Sequence, residues 1–244
     1  LQAYQRMPSS ESGGILVQLR RCQLASPGSS IRMLEKGSQS AADEVFLDLE
    51  DSVAPNAKVE SRDTVVQAIN NFDWSNKLVC VRVNGLDTRW FYGDLIKIVE
   101  GAGATLDAIM LPKANSAADV YMVDMLLTQI EDNNDLSIGS IGIEAQIETA
   151  MGMVNVNEIA FASERLKALI FGPGDYSASV QARGLSIGAS ENYPGHVWHY
   201  AIHRIVVAAR AAGIQAIDGP YGDYTNLAGY QESCEMAQAL GCDG

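Results

Sequence analysis

Soft metal ligands, basic charge and long apolar runs are all scarce in this chain. Four cysteines, Cys22, Cys80, Cys234 and Cys242, occur in 244 residues, and no two form a C-x-x-C pair. A chain of this length can bury a core without covalent staples, so the pattern points to reduced thiols and a cytoplasmic setting. The three histidines, His196, His199 and His203, all fall within "GHVWHYAIH". There is no H-E-x-x-H pattern, and their helical spacing reads as packing along one face rather than a zinc site. Lys plus Arg number 17 against 30 Asp plus Glu, a formal net charge of −13. Such a balance excludes the basic footprint of sequence-blind nucleic-acid binding. No apolar run approaches the ~20 residues that cross a bilayer, so no membrane partner is expected. G-x-S-x-G is absent as well, which removes nucleophile-elbow hydrolases. The opening "LQAYQRMPSSESGG" (1–14) is polar and lacks a signal peptide's apolar centre; it reads as a loosely ordered lead-in to one domain over 15–244.

What the chain does contain is alternation. Short apolar runs occur at 22–25, 44–49, 77–83, 106–111, 141–147, 166–171 and 214–217. Helical patterns lie between and after them, at 30–41, 57–71, 90–101, 116–131, 149–161, 195–212 and 226–240. Strands separated by helices imply parallel pairing, since each crossover needs a helix. Seven such units in 244 residues, with the chain reaching "LGCDG" where another strand is due, predict a (β/α)₈ TIM barrel whose eighth strand falls outside the sequence. A doubly wound open sheet is the alternative. The turn-rich "QARGLSIGASENYPG" (181–195) reads as a loop extension at one end of the barrel.

Side chains on a strand alternate between two faces. In "VFLDLE", Val45, Leu47 and Leu49 share one face, and Phe46, Asp48 and Glu50 the other. "VCVRVN" opposes Val79, Val81 and Val83 to Cys80, Arg82 and Asn84. "IGIEAQIE" opposes Ile141, Ile143, Ala145 and Ile147 to Gly142, Glu144, Gln146 and Glu148. The aliphatic face belongs against helices; the polar face belongs in the lumen, toward the C-terminal mouth where such barrels place their chemistry. Lys113 of "MLPKAN" and Asp175 of "GPGDY" follow two further strands to the same mouth. Carboxylates gathered in a partly dry site need compensation. One arginine and one lysine supply part of it. A divalent cation is the natural remainder, and an all-oxygen set favours Mg²⁺ or Mn²⁺ over zinc. Structural ion pairing is the plainer alternative for the same acids. Backbone N–H groups around Gly172, Pro173 and Gly174 offer a cradle for a carboxylate. "SPGSS", with Ser29 opening a helix, offers donors to phosphates, in a neighbourhood made basic by Arg20, Arg21, Arg32 and Lys36. A Schiff-base role for Lys113 is less expected than ion pairing.

"CQLASPGSS", "VFLDLEDSVAP", "VRVNGLDT", "IMLPKA", "IEAQIETAMGM", "FGPGDYSAS" and "AIDGPYGDY" resemble, in order, the signature segments of the HpcH/HpaI aldolase / citrate lyase β-subunit family. Within it the likeness is strongest to malyl-CoA lyases and the related β-methylmalyl-CoA, citramalyl-CoA and citryl-CoA lyases. The resemblance implies a barrel assembling as homotrimers or hexamers, with Mg²⁺ bound at Glu148 and Asp175. It implies Glu50 and Asp51 holding metal-bound waters, Arg82 on the substrate carboxylate, and Arg21 on coenzyme A. It also implies an eighth strand and a C-terminal lid beyond "LGCDG", the lid lending an aspartate to a neighbouring subunit as the acid/base. The implied reaction is reversible cleavage of a 3-hydroxyacyl-CoA to an acyl-CoA and a 2-oxo acid such as glyoxylate. A citramalyl- or citryl-CoA lyase, a coenzyme A-independent Mg²⁺ aldolase, and a non-catalytic subunit of a lyase complex are the other readings.

Overall fold

The computed structural model describes residues 18–182 and 196–244. The lead-in 1–14 lies outside the described residues, as does nearly all of the 181–195 loop. Seven strands form one sheet: β1 (Gln23–Pro27), β2 (Glu44–Asp48), β3 (Leu78–Arg82), β4 (Ala108–Leu111), β5 (Gly142–Ile147), β6 (Leu166–Phe171) and β7 (Gln215–Ile217). Every pairing is parallel and the order is β1-β2-β3-β4-β5-β6-β7. A doubly wound sheet reverses its strand order partway; this one never does, so that alternative falls.

The helices are α1 (Ile31–Ser38), α2 (Lys58–Asn71), α3 (Phe91–Ala102), α4 (Ala117–Asn133), α5 (Ala150–Val154), α6 (Val156–Ala160), α7 (Pro173–Ser179), α8 (His199–Ala212) and α9 (Leu227–Leu240). The helix read over 149–161 is two short ones. Thr149 caps α5 by accepting from Gly152 N–H, and Asn155, at the junction, spends its amide on the Asn115 carbonyl. Helix α7 has no counterpart in the sequence reading. Gly-Pro-Gly looks like a turn, yet Pro173 takes the first helical position, where its missing N–H costs nothing. Gly213 ends α8 with φ 74°, a left-handed cap that glycine adopts without a Cβ clash.

The two-face pattern holds. Val45, Leu47, Leu49, Val79, Val81, Val83, Ile141, Ile143, Ala145 and Ile147 all join the large core between sheet and helices. On the other face Cys80, Ala108, Met110, Ala168, Ile170 and Ile217 form a smaller cluster with Phe46. The sheet also curls. Arg20, just before β1, bonds Glu144 of β5 and Gln215 of β7, and Gln23 of β1 bonds Glu144. In a flat sheet β1 and β5 would stand roughly 19 Å apart, so these bonds require the inner face to close on itself. Beyond α9, Asp243 N–H donates to Ala216 and Asp218 N–H donates to Gly244 (2.7 and 2.9 Å), continuing the parallel ladder outside β7. A side chain on Gly244 would strike the Arg20 backbone, so this segment lies against both β7 and the approach to β1.

One ion pair outside the lumen fastens α4 to β6. Arg165 Nη2 lies 2.6 Å from Glu131, whose carboxylate also accepts from the N–H groups of Gly139 and Ile141. Glu131 is fully buried. Glu131→Ala should therefore cost about 3–5 kcal/mol, by stranding the guanidinium and two N–H donors; thermal or urea unfolding would show it.

Candidate active site

The C-terminal ends of β2, β3, β5 and β6, with the segments that follow them, converge on one cavity of about 730 Å³, lined among others by Asp51, Arg82, Gln146, Glu148, Gly174 and Asp175. Arg82 is its most constrained cation. The β2–β3 register sets Asp48 beside Arg82, and the pair is bidentate, Nε to Oδ1 and Nη2 to Oδ2, both 2.8 Å. Phe46 packs on the guanidinium at 5.5 Å. Only Nη1 is left toward the rim, 3.3 Å from Glu50 and 3.9 Å from Asp51. Burial opposes the Arg82 charge, but the Asp48, Glu50 and Asp51 carboxylates more than offset it and hold its pKa above the ordinary value. Burial likewise pushes Asp48 up; bonds from Arg82 and Ser52 outweigh it and leave Asp48 below the usual carboxylate range.

Lys113 occupies the centre. Its ammonium contacts Glu50 and lies 2.8 Å from Asp175, while its own N–H donates to Glu148 Oε1 at 2.8 Å. Its backbone is left-handed, φ 52°, an uncommon state for a lysine that recurs where geometry serves a site. Ion pairing, rather than a free amine, is thus the observed state of Lys113. Glu148 is pushed up to about 7, mainly by burial and further by Glu50 and Asp175, with Lys113 pulling the other way. Glu50 is raised by burial too, against the pull of Lys113 and Arg82.

The oxygen set fits a hard divalent cation. Glu50 Oε2 and Gln146 Oε1 are buried without a hydrogen-bond donor. Glu148 is a buried acid with only Lys113 to compensate it; no histidine is among the residues lining the cavity, and its cysteines, Cys22, Cys234 and Cys242, come from the segments around β1 and α9. Backbone crowding fixes the geometry: a side chain on Gly172 would sit 2.5 Å from Glu148 Cβ. The acids do not form a tight cage of three. Among the described residues the only such cluster is Glu44, Cys80 and Glu144, at the other end of the lumen. Two carboxylates with room for water and substrate is the usual arrangement for Mg²⁺.

Several expected placements are corrected. Glu144 points inward but sits near the start of β5, bonded to Arg20 and Gln23, not at the mouth. Arg20 is therefore buried between Glu44 and Glu144 and unavailable to an anion. Asn84 turns to Asp94 of α3 and the Leu49 carbonyl. Gly172 N–H is spent on the Ile147 carbonyl and Pro173 has none, so only Gly174 of that trio retains a donor. Arg21 and Ser29 are not brought together. Arg21, before β1, forks onto Asp43 and lines the same cavity as Glu148 and Asp175; Ser29, after β1, is exposed and not among the residues lining it. Asp48 and Lys113 carry more of the site's geometry than the sequence reading gave them. The Asp48 signal was its place two residues before Glu50 on the inward face.

Residues 21–244 match the model of the HpcH/HpaI aldolase/citrate lyase family. The chain belongs to that family. Over 234 residues it is 43% identical to an L-malyl-CoA/β-methylmalyl-CoA lyase of Cereibacter sphaeroides, covering 92% of this chain and 73% of that one. It is 32% identical over 228 residues to the citrate lyase subunit beta of Leuconostoc mesenteroides subsp. cremoris, covering 93% and 72%. A solved structure of the Mycobacterium tuberculosis protein CitE with magnesium and acetate superposes with a TM-score of 0.73 at 29% identity, covering 91% of this chain and 82% of that one. The chain is an enzyme of the carbon–carbon lyase class. Among the described residues no helix is long and apolar enough to cross a membrane, and all four cysteines are free thiols.

Proposed function

We propose that this lyase reversibly cleaves a malyl-CoA-like 3-hydroxyacyl-CoA to an acyl-CoA and a 2-oxo acid such as glyoxylate, with Mg²⁺ (or Mn²⁺) held by Glu148 and Asp175 at the mouth of a (β/α)₈ barrel. The observation that carries this reading is the convergence of Glu148, Asp175 and Arg82 on one cavity in a chain of this family. The bound cation would supply Lewis-acid polarisation of the oxygen on the carbon being released. Arg82 holds the oxo-acid oxygens through Nη1, the one face of its fork that Asp48 does not occupy. The Gly174 N–H, in the first turn of α7 without an intrahelical acceptor, donates to the substrate carboxylate. Glu50 and Asp51 accept from water at the rim. Coenzyme A would be met by Arg21, which lines the cavity, and by Ser29 at the turn after β1.

We also infer a homo-oligomer, trimer or hexamer, working in the cytoplasm. Large apolar side chains left exposed on and beside α5 and α6 support the assembly: Met151, Val154 and Phe161. The free thiols support the compartment.

A panel of malyl-, β-methylmalyl-, citramalyl- and citryl-CoA, assayed for 2-oxo acid release with Mg²⁺ and with EDTA, tests the reading. Release from the four-carbon ester with Mg²⁺ and none in EDTA is expected. Undiminished turnover in EDTA would overturn the metal's role; cleavage of free hydroxy-oxo acids alone would overturn the thioester.

A further inference from the structure

Lys58 is a buried lysine that the chemistry above leaves without a task. It is 6% exposed and opens α2. A cation at a helix N-terminus opposes the helix dipole, so the helix gains nothing from it. Lys97 and Lys113 pair with carboxylates, but Lys58 meets none among the described residues. Its ammonium donates instead to the carbonyls of Leu49 (3.0 Å) and Glu50 (2.8 Å) and lies 5.3 Å from the Trp90 ring centre.

Those carbonyls belong to the segment that lifts Glu50 and Asp51 to the rim. From the strand side the Asp48 carboxylate accepts from the Glu50 and Ser52 N–H groups. Lys58 holds the same segment from behind, so its backbone is clamped between a carboxylate and an ammonium. The ammonium's charge by itself would repel a nearby cation, so what it can offer the site is the position of these two carbonyls.

We propose that Lys58 is a positioning residue: it fixes the Glu50–Asp51 segment so that the acid pair faces the cation held by Glu148 and Asp175. This rests on the metal reading above. The fold itself does not require Lys58, because each carbonyl keeps another donor. Asn84 Nδ2 bonds Leu49, and Val53 N–H bonds Glu50.

Calorimetric titration of Mg²⁺ into wild type, Lys58→Met and Lys58→Arg provides the test. Lys58→Met should bind Mg²⁺ about tenfold more weakly, while the melting temperature without metal stays close to wild type. Lys58→Arg, still charged and able to donate to both carbonyls, should recover most of the affinity. A merely structural lysine would lower the melting temperature and leave the affinity alone. Equal affinity in wild type and Lys58→Met overturns this proposal only. A wild type that binds no Mg²⁺ overturns the metal reading, and this proposal with it. Should Lys58→Met fail to fold, Lys58→Gln takes its place: its shorter arm cannot span both carbonyls, so its affinity should fall below wild type, and an affinity equal to or above wild type overturns the proposal.

Discussion

Arg82→Ala should lower turnover of the 3-hydroxyacyl-CoA ester by about 10²- to 10³-fold, because a preorganised donor at developing charge is worth that much. On the proposed reading the loss should appear in kcat more than in KM, since Arg82 would hold the oxo-acid oxygens and the bulk of the ester would bind elsewhere. Arg82→Lys is the sharper test. Lysine keeps the charge but cannot fork onto both Asp48 oxygens while presenting a third nitrogen to the mouth. It should recover little. If it restores most of the rate, the guanidinium geometry is irrelevant and only the charge matters. Each variant strands Asp48, which is 1% exposed and loses its bidentate partner, so steady-state kinetics must be paired with a melting curve.

Glu148→Gln should abolish Mg²⁺-dependent activity and at the same time stabilise the metal-free protein. Glu148 is 4% exposed and its pKa is pushed up to about 7, with burial the main cause. A carboxyl raised in the folded state favours folding in its neutral form. That contribution is complete at low pH and is lost as pH climbs from the ordinary glutamate range through about 7. At pH 8 wild type therefore carries a buried charge that glutamine never acquires. The difference is worth about 1–3 kcal/mol, or several degrees of melting temperature for a chain of this size. At pH 5 the two proteins should melt nearly together. Saturating Mg²⁺ should raise the melting point of wild type and not that of the variant. A variant that melts below wild type at pH 8 without metal would mean that Glu148 is well compensated as an anion, against the geometry described.

Much of this was legible in the residues. Period-two alternation assigned each aliphatic side chain of β2, β3 and β5 to the outer core, because a strand offers only two faces and helices cover one of them. The same rule brought Glu50, Arg82 and Glu148 to one end. It failed where a side chain's depth along the strand matters. Glu144 and Glu148 share a face, and nothing local says that Arg20, 124 residues upstream of Glu144, claims the first. Asn84 was misplaced for a related reason. Past the end of β3 the chain no longer alternates, and Asp94, fully buried on α3, captures both its backbone and its side-chain amide. The left-handed turn at Lys113 had no sequence signal, since glycine or asparagine would ordinarily mark it.

Glu144 and Glu148 differ in what surrounds them more than in what they are. Four residues of extended chain put them roughly 13 Å apart, each beside a different cation, Arg20 for the first and Lys113 for the second. The lower acid shares Arg20 with Glu44 and accepts from Gln23; the upper one lines the cavity. Substitutions around the upper acid therefore touch none of the side chains that draw β1, β5 and β7 together, and the sheet can exchange one set of reactants for another with its curl left in place.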